Sequence, residues 1–155
     1  MIQEATIERV LDRLERGGED YAVQIEDFAS AQPELMEFLT NDDTEAFTAA
    51  ERESLLFAAL VIYQAVDEER AGVPEASGED ISRAEEHNYE IFAGTRSGSF
   101  RDRLTPFFVE SGEEELLAFV EDLLLGAEPG EEDYVSTEAR EPFFATLKTV
   151  VDVLT

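Results

Sequence analysis

The sequence predicts an all-α protein, a single-domain helical bundle of six to eight helices. Apolar side chains recur three and four residues apart along almost the whole chain, which is the spacing of one helix face. No segment shows the strict alternation of apolar and polar residues that marks a half-buried strand. With 155 residues, 43% of them hydrophobic, the chain is long enough to bury a core within one domain.

Four helices are predicted in the first half of the chain. Pro33 suits the first position of a short third helix, and Thr48-x-x-Glu51 has the form of a capping box ahead of the fourth. This fourth helix runs to about Arg70 and contains the longest apolar run, residues 55–66, so we expect a buried core helix. The apolar positions of the other three are Ile7, Val10, Leu11 and Leu14, then Tyr21, Ile25 and Phe28, then Leu35, Phe38 and Leu39.

The second half begins with another start signal, Ser77-x-x-Asp80. Ser111-x-x-Glu114 is expected to open a further helix, which should end at Gly126. A last helix occupies the C-terminal end of the chain. The apolar positions of these helices are Ile81, Ala84, Ile91 and Phe92, then Leu116, Leu117, Val120 and Leu124, then Phe143, Phe144, Leu147, Val150, Val151 and Leu154.

The two halves of the chain resemble each other, which predicts a tandem duplication of a four-helix unit over residues 1–70 and 79–155. A linker at 71–78 would join the two units, and each unit would end in a long buried helix. The alternative is that any two leucine-rich helices of one protein look alike, and superposition of the halves decides between these readings. The similar segments are 34–39 with 115–120, and 52–56 with 140–144.

The charge of the chain is unusual. There are 38 acidic residues against 11 basic ones, a formal net charge of -27, and Lys148 is the only lysine. The acidic residues extend through all the predicted helices and lie over an apolar core, so this is not a disordered acidic tail. Molar salt shortens the Debye length to about 3 Å and removes most of the self-repulsion of such a surface. We therefore expect a salt-adapted protein of a halophile's cytoplasm.

Several classes of function are disfavoured by the same composition. Binding of nucleic acid needs clustered lysine and arginine, and an acidic decoy needs carboxylates gathered on one surface, whereas here they are spread along the chain. The longest apolar run is too short to span a bilayer, and residues 1–16 are acidic, unlike a secretory signal peptide. The chain has no cysteine, and no phosphate loop or dinucleotide fingerprint occurs, so no cofactor is expected.

The one locally basic stretch is a candidate site for an anion or for an acidic segment of a partner. It contains Arg96, Ser97, Arg101 and Arg103, and it joins a Gly/Ser loop to a predicted helix N-terminus. Helix N-termini receive anions through their backbone N–H groups. The alternative is structural: these arginines pair with nearby carboxylates and hold two helices together.

A second candidate is the arginine stripe on the first helix, formed by Arg9, Arg13 and Arg16. These residues lie at i, i+4 and i+7 and therefore share one helix face. Pairing with acidic neighbours on the same helix explains the stripe without a ligand. The functional alternative is a docking face for an acidic helix of a partner.

The remaining chemistry is sparse. His87 is the only histidine and lies at the rim of an apolar face, which is typical of a structural residue. Glu34-x-x-Glu37 places two carboxylates on one helix turn, but no partner turn of the kind that holds magnesium in helical enzymes lies at a suitable distance. The sequence therefore favours a helical interaction or scaffold protein with an unknown protein partner, rather than an enzyme. The alternative is a small-anion binder or a carboxylate-Mg²⁺ enzyme.

Overall fold

The computed structural model describes residues 1–16, 20–41, 47–131 and 134–155, and within these ranges it contains eight α-helices and no strand. It confirms the prediction of an all-α bundle of six to eight helices. A short 3-10 turn, Thr137–Ala139, leads directly into the last helix. The helices are α1 (Glu4–Arg16), α2 (Tyr21–Ala31), α3 (Pro33–Thr40), α4 (Ala49–Glu69), α5 (Gly78–Ala93), α6 (Phe100–Glu110), α7 (Glu114–Leu125) and α8 (Arg140–Leu154).

Two predicted helix starts are confirmed. The Thr48 hydroxyl accepts a hydrogen bond from the Glu51 N–H, and the Glu51 carboxylate accepts one from the Thr48 N–H, which completes a capping box for α4. Ser77 caps α5 by accepting from the Asp80 N–H at 3.1 Å. Each cap satisfies a backbone donor that has no partner inside its helix.

The helix expected after Ser111 is present as α7 and ends before Gly126, but its N-cap is Glu113 and not Ser111. Ser111 ends α6, and its hydroxyl accepts from the N–H of Glu113 rather than from Glu114. Glu113, at the N-cap of α7, turns its buried carboxylate inward, where it accepts from the Ile2 N–H at 2.7 Å and pairs with Arg70 at 3.2 Å. This carboxylate therefore joins the N-terminus to the end of α4 instead of capping α7.

The core is built around α8. Every residue of α8 from 143 to 151 is buried, and the helix packs on α4, α5 and α7. A cluster of phenylalanines joins α5, α6 and α8, because the ring of Phe92 lies 4.7 Å from that of Phe107 and 5.9 Å from that of Phe144. On the opposite side α1 packs on α4. The buried layer thus runs from α1 through α4 and α8 to α5.

The order of the helices and some of their contacts agree with the predicted duplication of a four-helix unit, but other contacts do not. The first helix of each half packs on the last, α1 on α4 and α5 on α8, and these two last helices pack on each other. However, α7 packs on α8, whereas the larger contacts of α3 are with α2 and α5. The duplication stays a prediction.

The connection between α4 and α5 is attached to the first half by a buried amide. Gln32, between α2 and α3, donates from Nε2 to the carbonyl of Pro74 at 2.9 Å. Its Oε1 accepts from the N–H of Ala76 at 2.8 Å, and both Gln32 and Ala76 are buried. These two bonds fix the linker against the α2–α3 junction.

Candidate functional site

An apolar groove lies between α1, α4 and α7, with the first residue of α2 also on its lining, and it encloses about 570 Å³. We call it the α1–α4–α7 groove. It is lined mainly by partly buried hydrophobic side chains that pack on the core but leave one face open. Its apolar lining consists of Leu11, Tyr21, Leu56, Phe57, Phe119 and Leu123.

Carboxylates border this groove. Glu15 of α1 and Glu53 of α4 are exposed and lie on its lining. Burial raises the pKa of Tyr21 above its ordinary value of 10.0, and the negative charge of Glu53 raises it further. The Tyr21 hydroxyl therefore stays neutral at any ordinary pH. The groove combines an apolar floor with a negative rim.

The arginines of the Arg96–Arg103 stretch separate in the folded chain. Arg103 is the buried member, with its side chain 20% exposed and paired with Glu141 of α8 at 3.3 Å. It donates from Nε to the carbonyl of Thr95 and from Nη2 to the carbonyl of Phe92. These bonds satisfy carbonyls at the end of α5, so Arg103 links α6 both to that end and to α8.

The other three predicted members of this stretch behave differently. Arg101 is exposed and faces Glu121 of α7, 3.7 Å away. Ser97 is exposed on the loop. Arg96 is also exposed, and no described residue forms an ion pair with it.

Arg96 and Arg103 share a cavity of about 390 Å³ with a third arginine that the sequence analysis missed, Arg140 at the start of α8. We call it the arginine cavity, and its lining also includes Phe100, Glu138 and Glu141. The Nε of Arg140 is buried, and no described residue accepts a hydrogen bond from it. Because Arg140 lies 37 positions beyond Arg103 in the chain, only tertiary packing brings them together.

Comparison with known proteins finds no match. No family model, curated protein or solved structure is similar to this chain. Any functional inference must therefore come from the surface of the molecule itself.

The arginine stripe on α1 is engaged within the molecule. Arg9 donates to Glu68 of α4, with the shorter bond at 2.6 Å. Arg13 donates to Gln64 of the same helix at 2.7 Å, and Arg16 pairs with Asp12 one turn earlier in α1, at 3.1 Å. Two of the three arginines thus contribute to the α1–α4 contact. A partner docking on this stripe would have to displace these bonds.

His87 pairs with a residue of the neighbouring helix rather than with a ligand set. Its Nε2 lies 2.6 Å from Oε1 of Glu110 in α6, and both side chains are about half exposed. Within the described residues no group of three or more acidic, histidine or cysteine side chains is arranged to hold a metal ion. Nor does any helix in those ranges have the length and hydropathy that crossing a membrane requires.

Proposed function

We propose that this protein is an interaction module that binds a basic amphipathic helix of a partner protein in the α1–α4–α7 groove. The observation that carries this proposal is the groove itself, an open apolar surface between three packed helices. Grooves of this kind receive the apolar face of a helix through side chains spaced three and four residues apart. The partner would be met in the salt-rich cytoplasm that the composition predicts.

The apolar lining supports a helix as the occupant. Phe119 and Leu123 of α7 are one turn apart, and the ring of Phe57 in α4 is tilted against that of Tyr21, with ring centroids 6.2 Å apart. Aromatic and leucine side chains that are already half-buried lose little conformational freedom when a ligand covers them. The main source of affinity is therefore apolar burial, which salt does not weaken.

The rim supports a basic partner. Glu15 and Glu53 lie on the groove lining, and helical spacing places Glu8, Glu115 and Asp122 within a turn or two of lining residues. Direct contact with arginine or lysine would neutralise these carboxylates, and charges in contact are screened less than distant ones. A second copy of this chain is disfavoured as the occupant, because it carries the same net charge of -27.

A single tryptophan makes the groove observable, because the natural chain has none. We expect the emission of Phe119→Trp to shift to shorter wavelength and to saturate when an amphipathic leucine/arginine peptide is added in molar KCl. A peptide of the same composition in scrambled order has no apolar face, and it should bind at least about tenfold more weakly. The matched control is Val109→Trp on α6, a position that is 81% exposed and lies outside the groove.

Blocking variants complete the test. Leu123→Asp in the Phe119→Trp background should abolish the shift, whereas Val109→Asp should leave it intact. Equal binding of the scrambled peptide, or of a leucine/glutamate helix, would contradict the proposal. So would a concentration-dependent shift without peptide, since that outcome makes a second copy of this chain the occupant.

A further inference from the structure

We propose that the arginine cavity is a binding site for the phosphate group of a small molecule. This site lies at the junction of α5, α6 and α8, and its lining shares no residue with the α1–α4–α7 groove. The proposal is independent of the helix-binding function, so either can fail without the other.

The strongest evidence is Arg140. A buried donor without an acceptor loses its bonds to water and gains nothing in return, so such groups are rare and call for an explanation. The Nε of Arg140 is such a buried donor, because no described residue accepts a hydrogen bond from it. The Arg140 guanidinium lies 5.9 Å from the ring centroid of Tyr134. Arg140 also lines the cavity, and no described carboxylate forms an ion pair with its guanidinium. An anion in the cavity would therefore meet a cation that the fold has not neutralised.

Arg96 adds a second cation that the fold does not use. Its side chain is exposed on the loop after α5, it lines the same cavity, and no described carboxylate pairs with it. Seven of the ten arginines form ion pairs within the described residues. Of the three that do not, Arg96 and Arg140 line this cavity and Arg52 lies on α4.

Arg103 contributes a side chain to the cavity that is already held in place by the protein. Its guanidinium lies 5.2 Å from the Phe92 ring centroid and is held by the carbonyls of Thr95 and Phe92 as well as by Glu141. A guanidinium carries five N–H donors. A side chain that is already ordered loses little conformational entropy when a ligand binds.

The lining of the cavity carries a small excess of positive charge, with three arginines against two glutamates. Glu141 neutralises Arg103, which leaves the positive charges of Arg96 and Arg140 for the ligand. Glu138 is the other carboxylate on the lining, and it is exposed to solvent. Asp102 lies nearby but is engaged in the capping box of α6 with Ser99.

A phosphate monoester fits this arrangement better than a carboxylate does. It carries about -1.5 to -2 charges near neutral pH and offers three acceptor oxygens, and arginine binds it through paired parallel hydrogen bonds. The positive end of α6 begins at Phe100 on the cavity lining and adds to the attraction. A volume of about 390 Å³ also leaves room for an organic group beside the phosphate, since one water molecule occupies about 30 Å³.

Isothermal titration in molar KCl tests the site, because salt then screens the repulsion from distant carboxylates while contacts at bonding distance persist. The ligands are inorganic phosphate, glycerol phosphate and acetate. We expect saturable binding of glycerol phosphate and at least about tenfold weaker binding of acetate, as expected when charged hydrogen bonds are lost. If inorganic phosphate binds as tightly as the ester, the source is the free ion. If it binds more weakly, the source is an organic phosphate.

Variants assign the binding to the cavity. Arg96→Gln and Arg140→Gln should each weaken phosphate binding by about tenfold or more. Arg83→Gln, which removes an exposed arginine paired within α5, should leave binding unchanged. Since Arg96 is exposed, its variant keeps the fold even if Arg140→Gln does not, and circular dichroism checks both. Absence of saturable binding below about 10 mM, equal binding of acetate, or an equal loss in Arg83→Gln would overturn the proposal.

Discussion

Among single residues, Lys148 shows best how burial changes the role of a charge. The only lysine of an acidic chain lies in the core, with 3% of its side chain exposed and its Nζ 2.6 Å from Asp152. Asp152 also accepts from Nδ2 of Asn88 at 3.1 Å, and Asn88 donates to Thr149. This network joins α5 to α8. The single lysine of the chain therefore lies in the core, next to the Asp152 carboxylate and 6.0 Å from the centroid of the Phe107 ring.

Removal of Asp152 should therefore be costly. Asp152→Ala leaves a buried ammonium without its partner, and we expect a loss of about 3–5 kcal/mol in the free energy of unfolding. Lys148→Met should cost less, because Asp152 remains 27% exposed and can be solvated, and the double variant should be more stable than Asp152→Ala alone. Urea denaturation at constant salt measures all three.

The control for this cycle is an exposed ion pair. Glu79→Ala removes one of the two carboxylates that pair with Arg83, whose side chain is 69% exposed, and it should change stability by less than about 1 kcal/mol. A cost for Asp152→Ala that is no larger than this control would contradict the role assigned to the buried pair.

Glu51 is a second residue whose charge is structural. Burial opposes its ionisation, but hydrogen bonds from Thr48 and from the N–H of Ser136 outweigh burial, so the pKa of Glu51 lies below its ordinary value of 4.5. The bond to Ser136 is 2.9 Å long and fastens the segment before α8 to the start of α4. Because the folded pKa is lowered, the stabilisation is complete above the unfolded pKa and is lost as pH falls through the folded pKa.

Glu51→Gln should thus reduce stability at neutral pH, by about 1–2 kcal/mol. The difference from the natural protein should begin to shrink near pH 4.5, where the unfolded chain takes up a proton at Glu51. It should continue to shrink until pH has fallen through the lowered pKa of the folded protein. Protonation of the many surface carboxylates acts in the opposite direction by relieving repulsion, so only the difference between variants isolates Glu51. Denaturation from pH 3 to 7 at constant ionic strength, with Glu53→Gln on the same helix as control, provides this measurement. A difference that is constant with pH would be inconsistent with a lowered pKa.

At the scale of helices, the sequence identified the caps of α4 and α5 but not that of α7. Thr48 and Ser77 cap as predicted because their acceptors meet an N–H three residues later. Ser111-x-x-Glu114 has the same pattern and fails, because Glu113 is drawn toward Ile2 and Arg70, which lie far away in sequence. A local pattern contains no information about such partners.

The candidate sites show the same limit. The sequence singled out Arg96 and Arg103, because three arginines in eight residues are conspicuous in so acidic a chain. It could not add Arg140 or separate Arg101, since helix packing decides which guanidiniums share a cavity. Likewise the helical period identified Leu11 as an apolar position, and the apolar run 55–66 contains Phe57. Neither observation indicated a groove between α1, α4 and α7, and Phe119 was not among the apolar positions assigned to its helix. No sequence pattern indicated that the side-chain amide of Gln32 would bind the segment between α4 and α5.

At the scale of the whole molecule, charge and packing are two nearly separate systems. The hydrophobic core and its few ionic links account for the fold, while the 38 acidic residues exceed the 11 basic ones by 27, so most carboxylates cannot be paired one to one. Such an excess strains the compact state by self-repulsion at low salt. Screening removes this strain without altering any contact in the core.

Stability should therefore rise steeply with salt. Between low salt and about 2 M KCl we expect the midpoint of a circular-dichroism melt to increase by roughly 10 °C or more, which corresponds to about 3 kcal/mol for a chain of this size. A variant with four exposed glutamates neutralised, Glu26, Glu37, Glu86 and Glu90 to Gln, should gain less from KCl, because it has less repulsion to screen. That comparison separates screening from any general effect of salt on apolar burial. Equal melting in both salts, or an unchanged salt gain in the neutralised variant, would mean that the acidic surface has a role other than adaptation to salt.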